Sequence, residues 1–191
     1  MADSIKIDAQ QFIKDVILRE IKTIVYSPEC KSAPYVKFVL IATGIEFLGA
    51  CGDPHPYNKE KEGEDRFNAA LNKYFNKKYQ KYAKKGSAIN LYEDFRCGMI
   101  HQLRPTHLIN LTERGKGHNH LDETTNPTKL HLVLEDFYDD LESAALDLLK
   151  KIEQGKVSNV QKNKADFLEI NDKYSGHGET TIVVPTDDNL K

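Results

Sequence analysis

Apolar side chains recur every three to four residues in five separate stretches of this chain, and each stretch is closed by a proline or a glycine. That spacing puts them on one face of a helix, so the chain must build helices that bury those faces against one another. In the first stretch, Ala9 to Val25, the stripe is Phe12, Ile13, Val16, Ile17, Ile21 and Ile24, with Asp8 placed to cap it and Ser27-Pro28 to end it. A second helix is predicted from about Pro34 to about Ala50 through Phe38, Leu40, Ile41, Ile45 and Leu48, and Gly52-Asp53-Pro54-His55-Pro56 forbids its continuation. The third spans roughly Asp65 to Ala83 on Leu71, Phe75, Tyr79 and Tyr82. The fourth runs from about Ala88 to Leu103 on Leu91, Tyr92, Phe95 and Met99, behind a Ser87 cap. The fifth covers about Asp136 to Gln154 on Leu141, Ala145, Leu148 and Ile152.

Between the fourth and fifth helices the pattern changes. His107–Thr112 and Lys129–Leu134 are rich in β-branched residues and leucine, and Glu113–Thr128 between them is polar, which predicts a β-hairpin with a long tip. After Gly155 a polar loop precedes two short strand-like pieces, Phe167–Ile170 and Thr180–Val184, around a Ser175-Gly176-His177-Gly178 turn. The expected fold is therefore mainly α: a bundle of about five helices in residues 1–155 with a small hairpin insert at about 107–134, then a C-terminal extension, 156–191, of loop and short strands.

At 191 residues, 39% apolar and 29% charged, such a bundle has enough material for a core of its own. A formal charge of −2 gives no bulk attraction to a polyanion or a membrane. The polar N-terminus lacks a signal-peptide pattern, and the longest apolar run, Phe38–Ile45, is far too short to cross a bilayer, so the expectation is a cytoplasmic protein with no membrane association. Gly44, Gly49 and Gly52 have the wrong spacing for a dinucleotide loop and no Walker sequence exists, so no cofactor is expected. Cys30, Cys51 and Cys97 are scattered, and His107, His118, His120 and His131 have no cysteine near them, so no metal is expected either. The carboxylates Glu135, Asp136, Asp139, Asp140 and Glu142 are accounted for as the acidic start of a helix.

The segment Leu91-Tyr92-Glu93-Asp94-Phe95-Arg96-Cys97-Gly98-Met99-Ile100-His101 carries the best candidate chemistry. An arginine and a histidine five positions apart lie about 140° apart around a helix and about 7.5 Å along it. They can flank an extended group such as a phosphodiester, or meet their own copies across a two-fold axis. A guanidinium grips phosphate oxygens with its planar fork, and an imidazole moves protons near neutral pH. Tyr92 and Cys97 each sit one turn before a member of the pair.

This Arg-x4-His helix in a mostly helical protein resembles the HEPN superfamily (higher eukaryotes and prokaryotes nucleotide-binding), in its uncharacterised bacterial branch, and the likeness of layout covers about Ala33 to Gln154. The resemblance implies a homodimer and, in catalytic members, metal-independent RNA cleavage between two protomers. Arg96 would hold the scissile phosphate, His101 would act as general acid or base, and Tyr92 would position or stack. Other members keep the bundle and only bind nucleotides, nucleic acid or protein. Cys97 departs from the Asn, Asp or His that nuclease members carry after the arginine.

Two functions stay open. The first is an RNA-directed endoribonuclease of toxin or phage-defence type, with an antitoxin or other protein partner. The second is a non-catalytic interaction or nucleic-acid-binding module in which Arg96 and His101 serve the fold or a dimer contact. Lys73, Lys77 and Lys81, with Lys84 beyond them, form a basic stripe on the third helix that suits RNA, although an aromatic core stripe with a solvated opposite face explains the same pattern.

Overall fold

The computed structural model describes residues 5–6, 9–53, 55, 60–125, 128–157 and 169–170. Among them are five helices, one short 3-10 helix and a three-stranded sheet, so the chain is mainly helical. Helix α1 (9–26) buries Ala9, Ile13, Ile17, Ile21 and Val25, a strict four-residue stripe. Its middle, Ile13–Ile21, is wound with wide i→i+5 turns. A wider winding holds a four-residue repeat on one face, where an ordinary α-helix would let it drift.

Helix α2 (Pro34–Cys51) is the centre of the bundle and is buried on most sides. It is long and apolar enough to cross a membrane, but Phe38, Ile41, Ile45 and Leu48 spend that apolar surface in the core. Helix α3 (Gly63–Lys73) packs against it so closely that a Cβ on Gly49 would stand 1.8 Å from the Arg66 carbonyl oxygen. The buried Arg66 side chain is matched by Asp53. Helix α4 (91–102) and helix α5 (Leu134–Glu153) complete the bundle. Helix α5 ties to α1 through Tyr138 Oη, which donates to the Ile17 carbonyl at 2.9 Å, and through Lys22–Glu142 at 2.7 Å.

The third helix is shorter than its periodicity predicts. It stops at Lys73, and Asn76 Oδ1 accepts from the Lys78 N–H (3.1 Å) to start a 3-10 helix over Lys77–Tyr82. Tyr79 and Tyr82, both buried, are three apart, and side chains at i and i+3 eclipse in a 3-10 helix. The expected Lys73–Lys77–Lys81 stripe is therefore broken across a turn.

The hairpin insert also differs. Strand β2 (Ile109–Thr112) lies parallel to β4 (Thr128–Val133), and β3 (Glu123–Thr125) is the antiparallel neighbour of β4. The strand order β2-β4-β3 leaves β2 at one edge. Both predicted segments contain strands, but the chain between them crosses over instead of folding back, because β3 takes the hairpin position beside β4. The loop's backbone joins β4 through Leu121 N–H to His131 O and His131 N–H to Asp122 O, both 2.9 Å. At the ends, β1 (Ile5–Lys6) pairs antiparallel with β5 (Glu169–Ile170), within the first predicted C-terminal strand. The second, Thr180–Val184, with the turn before it, lies outside the described residues.

Candidate functional site

Helix α4 begins at Asn90, three residues after the predicted cap. Asn90 Oδ1 accepts from the N–H groups of Tyr92 (2.9 Å) and Glu93 (3.3 Å), and Asp94 Oδ2 accepts from the Asn90 N–H at 2.8 Å. Leu91, Phe95 and Met99 make the buried face. Here too the first turns, Leu91–Cys97, are wide. The helix ends on Leu103 in the left-handed region, φ 55°, where a bulky side chain costs roughly 1–2 kcal/mol.

After that turn the chain doubles back along its own helix. The Arg104 N–H donates to the Gly98 carbonyl (3.3 Å), the Thr106 N–H to the Asp94 carbonyl (2.8 Å), and Thr106 Oγ1 to Asp94 Oδ1 (2.9 Å). Gly98 makes this possible, since a Cβ there would lie 2.4 Å from the Arg104 carbonyl oxygen. Asp94 and Gly98 therefore fix the path of residues 104–106.

The predicted pair separates in this setting. Arg96 turns inward: its Nε and Nη2 lie 2.7 and 2.6 Å from Glu46 Oε2 on α2, with the two side chains only 17% and 24% exposed. Its guanidinium also lies 5.4 Å from the Tyr92 ring centre. Tyr92 Oη and Glu46 Oε1 converge where Gly63 leaves room, each 3.1 Å from where a Gly63 Cβ would stand. Burial, with the Cys97 thiol next in effect, raises the Tyr92 phenol above its ordinary range. His101, by contrast, is exposed. Tyr92 and Arg96 are thus brought together with Glu46 and Cys97, and His101 is not.

Lys73, Lys77, Lys81 and Lys84 are all exposed, and Lys81 is already paired with Glu123 at 2.7 Å. The acidic start of α5 receives a partner that sequence reasoning missed. Arg114, from the crossover loop, joins Asp136 and Asp139, and its N–H donates to Glu135 Oε2 at 2.8 Å.

The same loop brings His120 inward and lays the exposed His118 over His131 of β4. His120 Nδ1 accepts from the Val133 N–H at 3.0 Å, which leaves the ring proton on Nε2. Nε2 meets Tyr79 Oη at 2.7 Å, and Tyr79 Oη donates to Asp140 Oδ2 at 2.7 Å. Burial pushes the His120 pKa down to about 4. His118 stacks on His131 with ring centres 4.0 Å apart. Alternation along β4 predicts His131 at the surface; it is buried because the loop covers that face. Its Nδ1 accepts from Asn110 Nδ2 at 2.8 Å. Among the described residues no group of three or more His, Cys, Asp or Glu is arranged to hold a metal ion.

A hollow of about 520 Å³ lies between β2 and the 102–107 return, with Tyr35, Gln102, Arg104, His107 and Asn110 in its wall. A second, about 260 Å³, shares Tyr35 and Leu111 with it and is lined also by Pro34, Phe38 and Lys116. Neither wall includes Arg96 or His101. Nothing in the sequence pattern marks Glu46, Tyr35 or Arg104, because tertiary packing alone brings them to these positions.

No family model, curated protein or solved structure matches the chain.

Proposed function

We propose that this chain is a non-catalytic, RNA-directed module on a HEPN-like helical bundle, in which Arg96 serves the fold. The observation that carries this is the Arg96–Glu46 ion pair, with two guanidinium nitrogens on one carboxylate oxygen and both side chains largely withdrawn from water. A guanidinium so engaged must break that pair before it can grip a phosphate, and breaking a shielded pair leaves an uncompensated charge on Glu46. Cys97 agrees with this reading, since it offers no ready acceptor or base beside the arginine. RNA remains the preferred ligand because the exposed Lys73, Lys77, Lys84 and Arg104 provide sites for phosphates.

A second reading, cleavage, keeps one observation in its favour: His101 is exposed on the motif helix, where a two-fold partner could bring its own copy. One experiment separates the two. Labelled single-stranded RNA is incubated with the protein in EDTA, beside Arg96→Ala and His101→Ala. The expected result is salt-dependent binding without cleavage. Cleavage by the wild type that both substitutions abolish would overturn the module reading in favour of the nuclease.

A further inference from the structure

All five arginines are described: Arg19, Arg66, Arg96 and Arg114 each meet a carboxylate, and Arg104 meets none among the described residues. Arg104 is exposed, and its own N–H is held by the Gly98 carbonyl. The Gly98 close approach, the Asp94 latch on Thr106 and the left-handed Leu103 all act on its two flanks. A free cation on a fixed backbone is preorganised for an anionic ligand, which then gives up less freedom when it binds. His107, also exposed, stands three residues on in the wall of the same hollow.

Tyr35 supplies the complementary half. It is 52% exposed, stands at the boundary of both hollows, and has no aromatic partner among the described residues. It shares one hollow with Arg104 and His107 and the other with the apolar Pro34, Phe38 and Leu111 and with Lys116. The two walls hold a single carboxylate, Glu113. Asn110, whose Nδ2 is committed to His131, keeps its Oδ1 to accept from a donor.

We propose that these adjoining hollows along the free edge of β2 bind a nucleotide unit of single-stranded RNA, with Arg104 and His107 on the phosphate and a base stacked on Tyr35. The proposal rests on the RNA-directed reading above and gives it a location away from Arg96. A guanidinium and an imidazole beside an exposed aromatic residue are a combination that suits a single-strand site, because every base has a face to stack and every unit carries a phosphate. The larger hollow, about 520 Å³, lies in the range of small-ligand sites. The other occupant this edge admits is a polypeptide strand added to β2, but main-chain pairing has no use for Arg104 and His107. The charge of the wall favours the nucleotide.

The test is fluorescence anisotropy with a labelled mixed-sequence RNA 12-mer and, as competitors, AMP, ribose 5-phosphate and the duplex form. The proteins are wild type, Arg104→Ala, Tyr35→Ala and Lys73→Ala, each checked by thermal melting. Arg104→Ala is expected to weaken binding roughly tenfold and to reduce the salt slope by about one. Tyr35→Ala is expected to weaken it by a similar factor, roughly tenfold, with the slope unchanged. AMP should compete better than ribose 5-phosphate, and both variants should melt as the wild type does. RNA binding left intact by both substitutions but weakened by Lys73→Ala would overturn the groove while the RNA-directed reading stands. Binding of AMP without the 12-mer would keep the nucleotide site and sink the RNA reading. A dimer in sedimentation that Tyr35→Ala dissolves, with no response to any nucleotide, would overturn the proposal by filling the edge with a second copy.

Discussion

A single carboxylate decides how the most suggestive residue of the sequence is used. Arg96 reads as a phosphate ligand from its helix and its spacing to His101, but Glu46, fifty residues earlier on α2, takes it. No local pattern announces such a partner, since the pair exists only once α2 and α4 pack. Replacing Arg96 with alanine strands Glu46 at a largely shielded site and is expected to cost about 2 kcal/mol. Glu46→Gln should cost a comparable amount, and Glu46→Leu combined with Arg96→Met should recover much of it, because two apolar groups leave no charge to solvate. Urea denaturation of the three variants measures this. Additive losses in the double variant would show that the pair is not coupled in this way.

At the scale of elements, the unit from Asn90 to His107 is the best-defined device in the molecule. It consists of a capped helix, a left-handed stop and a return segment lying on the helix it has just left. Gly98 is its closest contact, so Gly98→Ala must push residues 104–105 outward and is expected to destabilise the fold by about 2–3 kcal/mol. The accompanying sign is a loss of the protection of the Thr106 amide in hydrogen exchange; an unchanged Thr106 rate would argue against the latch. Elements whose apolar stripes are long are legible in the sequence: each of the five predicted helical stretches contains a helix, the third ending at Lys73 instead of Ala83, and both strand-like segments of the insert contain strands. What periodicity could not supply is the break at Lys73, where Asn76 draws the backbone into a 3-10 helix, and the direction of β2. Alternation specifies faces and is silent on whether two strands run parallel, and it placed His131 outside because it could not foresee the loop that covers it.

For the whole molecule, the interior histidines link stability to acidity. His120 is neutral in the native state with a pKa of about 4, whereas the unfolded chain offers the ordinary 6.5. Between those values the unfolded chain binds a proton that the native state refuses. Its contribution is therefore complete above pH 6.5 and is lost as the pH falls toward 4, by roughly 3 kcal/mol in total. His131, lowered by burial and by the neighbouring His118, acts in the same sense. Asp140, raised by burial, acts in the opposite sense nearer the carboxylate range. The midpoint of thermal unfolding should fall measurably from pH 7 to pH 5, and the fall should shrink in His120→Gln. A His120 ring resonance titrating near 6.5 in the native protein would refute the assignment.

The parallel pairing of β2 with β4 has a consequence for biosynthesis. As the polypeptide leaves the ribosome, residues 109–112 emerge with no neighbour on either side, and their partner follows some twenty residues later, directly joined to α5. The four earlier helices meet the same delay, because α5 supplies the surface that closes over α1 and α2. Sheet and bundle therefore reach completion in one late step, and a nascent chain halted before Leu134 would hold its helices around an open core.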